Sequence, residues 1–124
     1  MTATSTYQVG FAPPTPVPKL EPQGRVPHVA RLLALAHRID AMIAAGELRD
    51  LADAARLLGL TRARVTQLMN LLLLAPAIQE AILELPPVTN GRDTVTERSL
   101  RRIVAEPAWE RQLTLWQQIN QEIP

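Results

Sequence analysis

The chain has 124 residues, 13 basic and 12 acidic, for a formal net charge of +1. That length suits one domain with its own core, and that balance excludes a tail that coats nucleic acid by bulk charge. It has no cysteine, which excludes a disulfide framework and a cysteine–zinc finger.

Residues 1–24 read as a tail. Pro13, Pro14, Pro16, Pro18 and Pro22 forbid helix and sheet and favour extended polyproline conformations. A disordered leader is the expectation from this composition. A docking arm for a partner or for a DNA minor groove is the alternative, with Tyr7 and Phe11 as its aromatics. No basic residue precedes Lys19 and no continuous apolar segment occurs in the tail, so it is not a signal peptide.

Residues 25–124 read as a helical domain. Its first helix is predicted from near Pro27, a good first-turn residue, to about Ala45. Leu32, Ala36, Ile39 and Ile43 form its core stripe, and Gly46 ends it. Arg31 and Arg38 lie seven apart on one outer face, either touching phosphates together or simply solvated. His28 and His37 are nine apart and lack a partner set for a metal.

The organising stretch is 51–74, LADAARLLGLTRARVTQLMNLLLL. It reads as two short helices joined by a tight turn. Asp50 is the expected N-cap of the first, with Ala54, Leu57 and Leu58 as its apolar stripe. Gly59 ends it, because glycine takes the left-handed cap at no steric cost. Thr61 is the expected N-cap of the second helix, drawn as running from 61 to 74, with Val65, Leu68 and Leu72 inward. Its other face carries Arg62, Ala63, Thr66, Gln67 and Asn70, with Arg64 at the edge and no acidic residue. Steeply crossed helices need a small residue at the crossing, a glycine at the bend and a branched apolar side chain beneath. Ala55, Gly59 and Val65 supply that set. A DNA-binding helix-turn-helix places such a second helix in the major groove. There arginine pairs with guanine, and glutamine or asparagine with adenine. The amides at Thr61 would hold a phosphate at the helix N-terminus. An ordinary helical corner with a solvated face has the same pattern.

Residues 60–82, LTRARVTQLMNLLLLAPAIQEAI, resemble the DNA-binding region of ParB-type partition proteins and KorB-type plasmid repressors. In that family a "G-x-S/T-x-x-x-V" recognition helix runs into "L-L-x-L-P-x-x-I/V-Q" and a further helix. Gly59, Thr61 and Val65 match the first part. Leu71, Leu72, Leu74, Pro76, Ile78 and Gln79 match the second, with Ala75 displacing the proline by one residue. TERSLRRIVA, residues 96–105, is similar to the family's next helix, so the resemblance covers residues 50–105. It implies a helix-turn-helix binding double-stranded DNA. The family's nucleotide-binding domain, with its arginine-rich phosphate motif, has no counterpart here, so nucleotide hydrolysis does not carry over.

Helix four is predicted from Pro76 to about Leu85, with Ile78, Ile82 and Leu85 inward and Glu80 and Glu84 on a solvated face. Pro86 and Pro87 stop it, and Asn90-Gly91 marks a turn. Thr94 and Glu97 have capping-box spacing, while Thr96 is the alternative cap. Helix five points Leu100, Ile103 and Val104 inward and Arg98, Arg101 and Arg102 outward, a second candidate phosphate contact. Pro107 is expected to open helix six, where Trp109, Leu113, Trp116, Ile119 and Ile123 make one stripe. That stripe either forms a homodimer interface through residues 107–123 or covers helices one and five of its own subunit.

From Arg25 to Ala75 seven arginines face four acids; from Pro76 to Pro124 five face seven. The recognition helix thus lies in the positive half, as a phosphate-facing surface requires. No glycine-rich phosphate loop or metal-ligand cluster is visible, and neither Ser5 nor Ser99 sits in a nucleophile elbow. The longest apolar run, Leu71 to Ile78, is far below the ~18 residues of a membrane helix. The expectation is an all-α cytoplasmic protein of about six helices, with neither enzymatic activity nor cofactor. It would bind specific duplex DNA as a transcriptional regulator or as a partition or mobile-element accessory. A helical protein-interaction module is the rival class.

Overall fold

The computed structural model describes residues 24–121, which form α1 (His28–Ala44), α2 (Leu51–Leu58), α3 (Arg62–Met69), a 3-10 segment (Asn70–Leu73), α4 (Pro76–Leu83), α5 (Glu97–Val104) and α6 (Trp109–Gln121). No strand occurs among the described residues, only a single antiparallel bridge between Arg25 and Val88. The all-α class and the six helices match the sequence reading. Residues 1–23, and with them the tail reading, lie outside the described residues, as does Ile123.

Pro27 precedes α1 and has no side-chain cap to offer. The first free amide is instead met from a distant loop: His28 N–H donates to Asp93 Oδ2 at 2.7 Å, and Asp93 also pairs with Arg25 at 2.5 Å. This closes the helix start onto the 86–95 loop. The Arg25–Val88 bridge does the same, with N···O distances of 2.9 and 2.8 Å. The buried face of α1 is broader than its predicted stripe. Val29, Ala30 and Leu33 join Leu32, Ala36 and Ile39, while Ile43 is only half-buried. A helix packed against several partners needs this wider apolar arc.

Asp50 caps α2 as predicted, accepting from Asp53 N–H at 2.9 Å. Gly59 takes φ 69°, and the Leu60 N–H returns to the Ala55 carbonyl at 2.9 Å. This bond from the second residue past the helix closes a Schellman-type end. The apolar stripe of α2 differs from expectation. Ala54 and Ala55 are its buried residues, whereas Leu57 is 65% and Leu58 38% exposed. Two alanines let α3 approach closely, and the leucines rotate to the rim of a groove against Leu35, Ile39 and Met42 of α1.

The predicted helix 61–74 is not continuous. Its α-helical part ends at Met69 and tightens into the 3-10 turn. At three residues per turn, positions i, i+3 and i+6 eclipse. Leu68, Leu71 and Leu74 therefore all point into the core, each at most 2% exposed, and Leu72, expected inward, is half-buried. The chain then bends by 108° into α4. Two side-chain amides meet the carbonyls freed at this bend. Gln79 Nε2 donates to Leu72 O at 3.2 Å and Leu74 O at 2.9 Å, while its Oε1 meets His37 Nε2 at 2.7 Å. Gln112 of α6 is a buried polar residue; its Oε1 accepts from Ala75 N–H at 2.7 Å, and its Nε2 donates to Leu73 O and Glu106 O.

Helix α4 ends at Leu83, before the predicted Leu85, because a residue preceding proline is disfavoured in helix. Leu85 N–H closes the end on Ile82 O at 3.2 Å. Of the two caps open for α5, Thr96 is used, in a reciprocal box with Ser99 rather than Glu97. Pro107 lies two residues ahead of α6, whose first turn closes from Gln112 N–H to Ala108 O at 3.0 Å. Trp116 is 6% exposed and joins the main core with Leu33, Leu68, Ile78, Leu100 and Ile103, whereas Trp109 is 55% exposed. Of the two readings of the α6 stripe, Trp116 therefore takes the one within its own chain. A second, smaller cluster holds Ile39, Leu48, Ala54, Ala55 and Val65.

Candidate nucleic-acid interface

Helices α2 and α3 are joined by Gly59, Leu60 and Thr61, a three-residue turn. The left-handed glycine reverses the chain, and the extended Thr61 caps α3 by accepting from Arg64 N–H at 3.0 Å. Val65 and Leu68 anchor α3 on its inner side. The outer side is left to solvent: Thr61, Arg62, Ala63, Thr66, Gln67 and Asn70 are all exposed. Thr66 bonds back to the Arg62 carbonyl at 3.0 Å, so its methyl and hydroxyl stay at the helix surface. Among the described residues the Arg62 side chain has neither an ion pair nor a side-chain hydrogen bond. It stands as a free cation at the first turn of α3.

Arg64 differs from its neighbours. It is half-buried and forms a two-pronged pair with Glu97 at the start of α5. Nη2 donates to Oε1 at 3.0 Å and Nη1 donates to Oε2. Nη1 also donates to Gln67 Oε1 at 3.1 Å. The hydrogen bonding from Arg64 to Glu97 is the main reason the Glu97 carboxyl titrates below the usual carboxylate range; burial opposes it. The same pairing raises the guanidinium pKa further above its ordinary value. Although α3 carries no acid of its own, α5 thus delivers one to its edge and neutralises one of its two arginines. In the sequence Glu97 has capping-box spacing from Thr94, with Thr96 as the alternative cap. Its role follows once Thr96 and Ser99 close the cap between themselves and leave the carboxylate free.

The other candidate phosphate contacts divide by location. Arg101 lines a cleft of 250 Å³ with Gln67, Asn70, Leu71 and Glu97, so α5 extends the α3 surface. Arg98 and Arg102 are exposed on the same helix. Arg31 and Arg38 are exposed on α1. Arg38 borders the apolar groove of 240 Å³ between α1 and α2, on the side of Leu57 and Leu58. The structure therefore joins Arg101 to the α3 face and sets Arg38 beside α2.

No group of three His, Asp or Glu side chains among the described residues could hold a metal ion. No single helix among them is long and apolar enough to cross a membrane. No family model, curated protein or solved structure matches this chain.

Proposed function

We propose that this protein binds specific double-stranded DNA through α2 and α3, with α3 in the major groove. The observation that carries this reading is the combination at α3. A short helix, set by a three-residue turn and anchored by Val65 and Leu68, presents an exposed polar face headed by Arg62, whose side chain is unpaired among the described residues. Residues at the start of a recognition helix reach base edges, and arginine pairs bidentately with guanine. Thr61 and the first α3 amides fix a phosphate, and Arg101 with Arg98 and Arg102 extends the contact along the backbone. The resemblance to ParB-type and KorB-type DNA-binding regions points the same way. It suggests a transcriptional regulator or a partition or mobile-element accessory in the cytoplasm. A homodimer through residues 107–123 would pair two recognition helices about one DNA turn apart. Trp109 is its remaining aromatic anchor, since Trp116 belongs to the chain's own core.

The test is a fluorescence-anisotropy titration of sites selected from random duplexes. Arg62→Ala is expected to weaken the selected site by about 1–3 kcal/mol, roughly 5- to 150-fold, with a smaller change on scrambled duplex. An absence of sequence selection at low salt would overturn the reading and favour a protein-interaction module.

A further inference from the structure

The bond between Arg64 and Gln67 limits what Gln67 can read. Guanidinium groups have only donors, so Gln67 must turn its oxygen to Arg64, as the 3.1 Å contact shows. The Arg64 fork is in turn committed to both oxygens of Glu97. Glu97 comes from α5, outside the helix it acts on, and its side chain is only 17% exposed. The Gln67 amide oxygen is therefore already engaged. Its Nε2 has no partner among the described residues, and the residue stands on the exposed face of α3.

We infer that Glu97 is a positioning residue which, through Arg64, makes Gln67 a donor-only reader that selects guanine over adenine. This rests on the proposed DNA-binding reading. A glutamine that reads adenine uses both ends of its amide: the oxygen accepts from N6 and the nitrogen donates to N7. With one lone pair of the oxygen taken by Arg64, the NH2 is the group of the amide left without a partner among the described residues. Guanine offers two neighbouring major-groove acceptors, N7 and O6, whereas adenine sets a donor beside its single acceptor and cytosine presents a donor. The anchored NH2 therefore matches guanine best. Three of the five Arg64 donors are committed, two to Glu97 and one to Gln67, and the fork is turned to α5, which leaves Arg62 as the arginine of α3 free to touch DNA.

The experiment is selection from a random duplex library with the full chain, sequenced, for wild type and four variants. Gln67→Ala identifies the base pair that Gln67 reads by erasing its preference. At that pair wild type is expected to select guanine. Glu97→Gln and Arg64→Met both free the amide, and each is expected to shift the guanine-to-adenine ratio at least tenfold toward adenine. Glu97→Asp, which keeps the carboxylate, should retain most of the guanine preference. Arg64→Met leaves the pair's summed charge one unit lower, and Glu97→Gln one unit higher. A change in ratio common to both therefore does not come from bulk attraction to phosphate. Circular dichroism melts establish that each variant is folded, and Arg64→Met carries the test if Glu97→Gln does not fold. An unchanged ratio in a folded variant overturns the inference and leaves the DNA-binding reading standing. So does a wild type that selects adenine at that pair, or a Gln67→Ala protein with every preference intact. A wild type that selects no sequence overturns both.

Discussion

Val65 and Leu68 lie one turn apart on α3, yet they belong to different cores. Leu68 enters a cluster fed by α1, the 3-10 segment, α4, α5 and α6, with Trp116 among its members. Val65 enters a small cluster with Ile39, Leu48, Ala54 and Ala55. The first core buries large side chains, each worth about 1.5–3 kcal/mol of transfer free energy. The second relies on two alanines, which allow close approach but contribute little apolar area. The contrast means α3 is held firmly by the main core, while α2, the helix that sets its angle, rests on a thinner contact. Segments with few buried apolar contacts open at lower free energy than the whole domain.

The widest test of that contrast is to truncate one side chain in each core. Ile78→Ala in the main cluster is expected to cost about 2–5 kcal/mol in a denaturant titration. Val65→Ala removes two carbons and is expected to cost about 1.6 kcal/mol plus a cavity contribution, at ~0.8 kcal/mol per buried carbon. Equal costs would mean that the two clusters unfold as one and that α2 is no weaker than the rest.

A second comparison sets apolar packing against the polar clamp at the bend after α3. Gln112→Leu keeps much of the volume but strands the Ala75 N–H and the Leu73 carbonyl. The expected loss is about 1–3 kcal/mol, the range for an orphaned buried polar group. A neutral result would show that water meets both groups as well as the amide does.

The smallest effect concerns Asp93, which caps α1 from outside the helix. The His28 N–H, then Arg25, hold its carboxyl below its ordinary value. A carboxylate with a depressed folded-state pKa stabilises the fold above its unfolded pKa, and loses that contribution as pH falls through the folded value. Glu97 shifts in the same direction for its own reason. Melting temperature should therefore fall as acid is added below about pH 4. Asp93→Asn should flatten part of that fall and cost about 1 kcal/mol at neutral pH, typical of a lost cap. Identical acid profiles for the two proteins would remove Asp93 from the account.

Local chemistry was readable from the sequence where neighbouring residues alone decide it. Asp50, Gly59 and Thr61 punctuate α2 and α3 where their side chains and backbone preferences place them. What could not be read depended on partners far along the chain. Nothing within α2 tells that Leu57 stays in solvent, because that follows from how near α1 and α3 come to Ala54 and Ala55. A run of four leucines, 71–74, gives no period by which to tell an α-helix from a 3-10 turn. Leu71 shares the face of Leu68 one turn on, and Leu74, at the end of the 3-10 turn, is brought onto that face by its tighter pitch. Helix-face counting likewise places Arg64 at the edge of the polar face of α3 and points to no partner for it. Its partner Glu97 lies 33 residues later and enters only once α5 is docked.

The clamp made by Gln112 also bears on how the protein comes off the ribosome. The chain emerges from its N-terminus, and domains fold as units during synthesis. Helices α1 to α4 are made first, yet the Ala75 amide in their midst has its acceptor 37 residues downstream. Until α6 has been made and docked, the corner behind the α3 surface lacks that bond. The main core likewise lacks Trp116. A nascent chain halted before α6 would hold the α2–α3 segment without the fixed geometry of the finished protein. Completion of α6 is thus the step at which this surface acquires its shape.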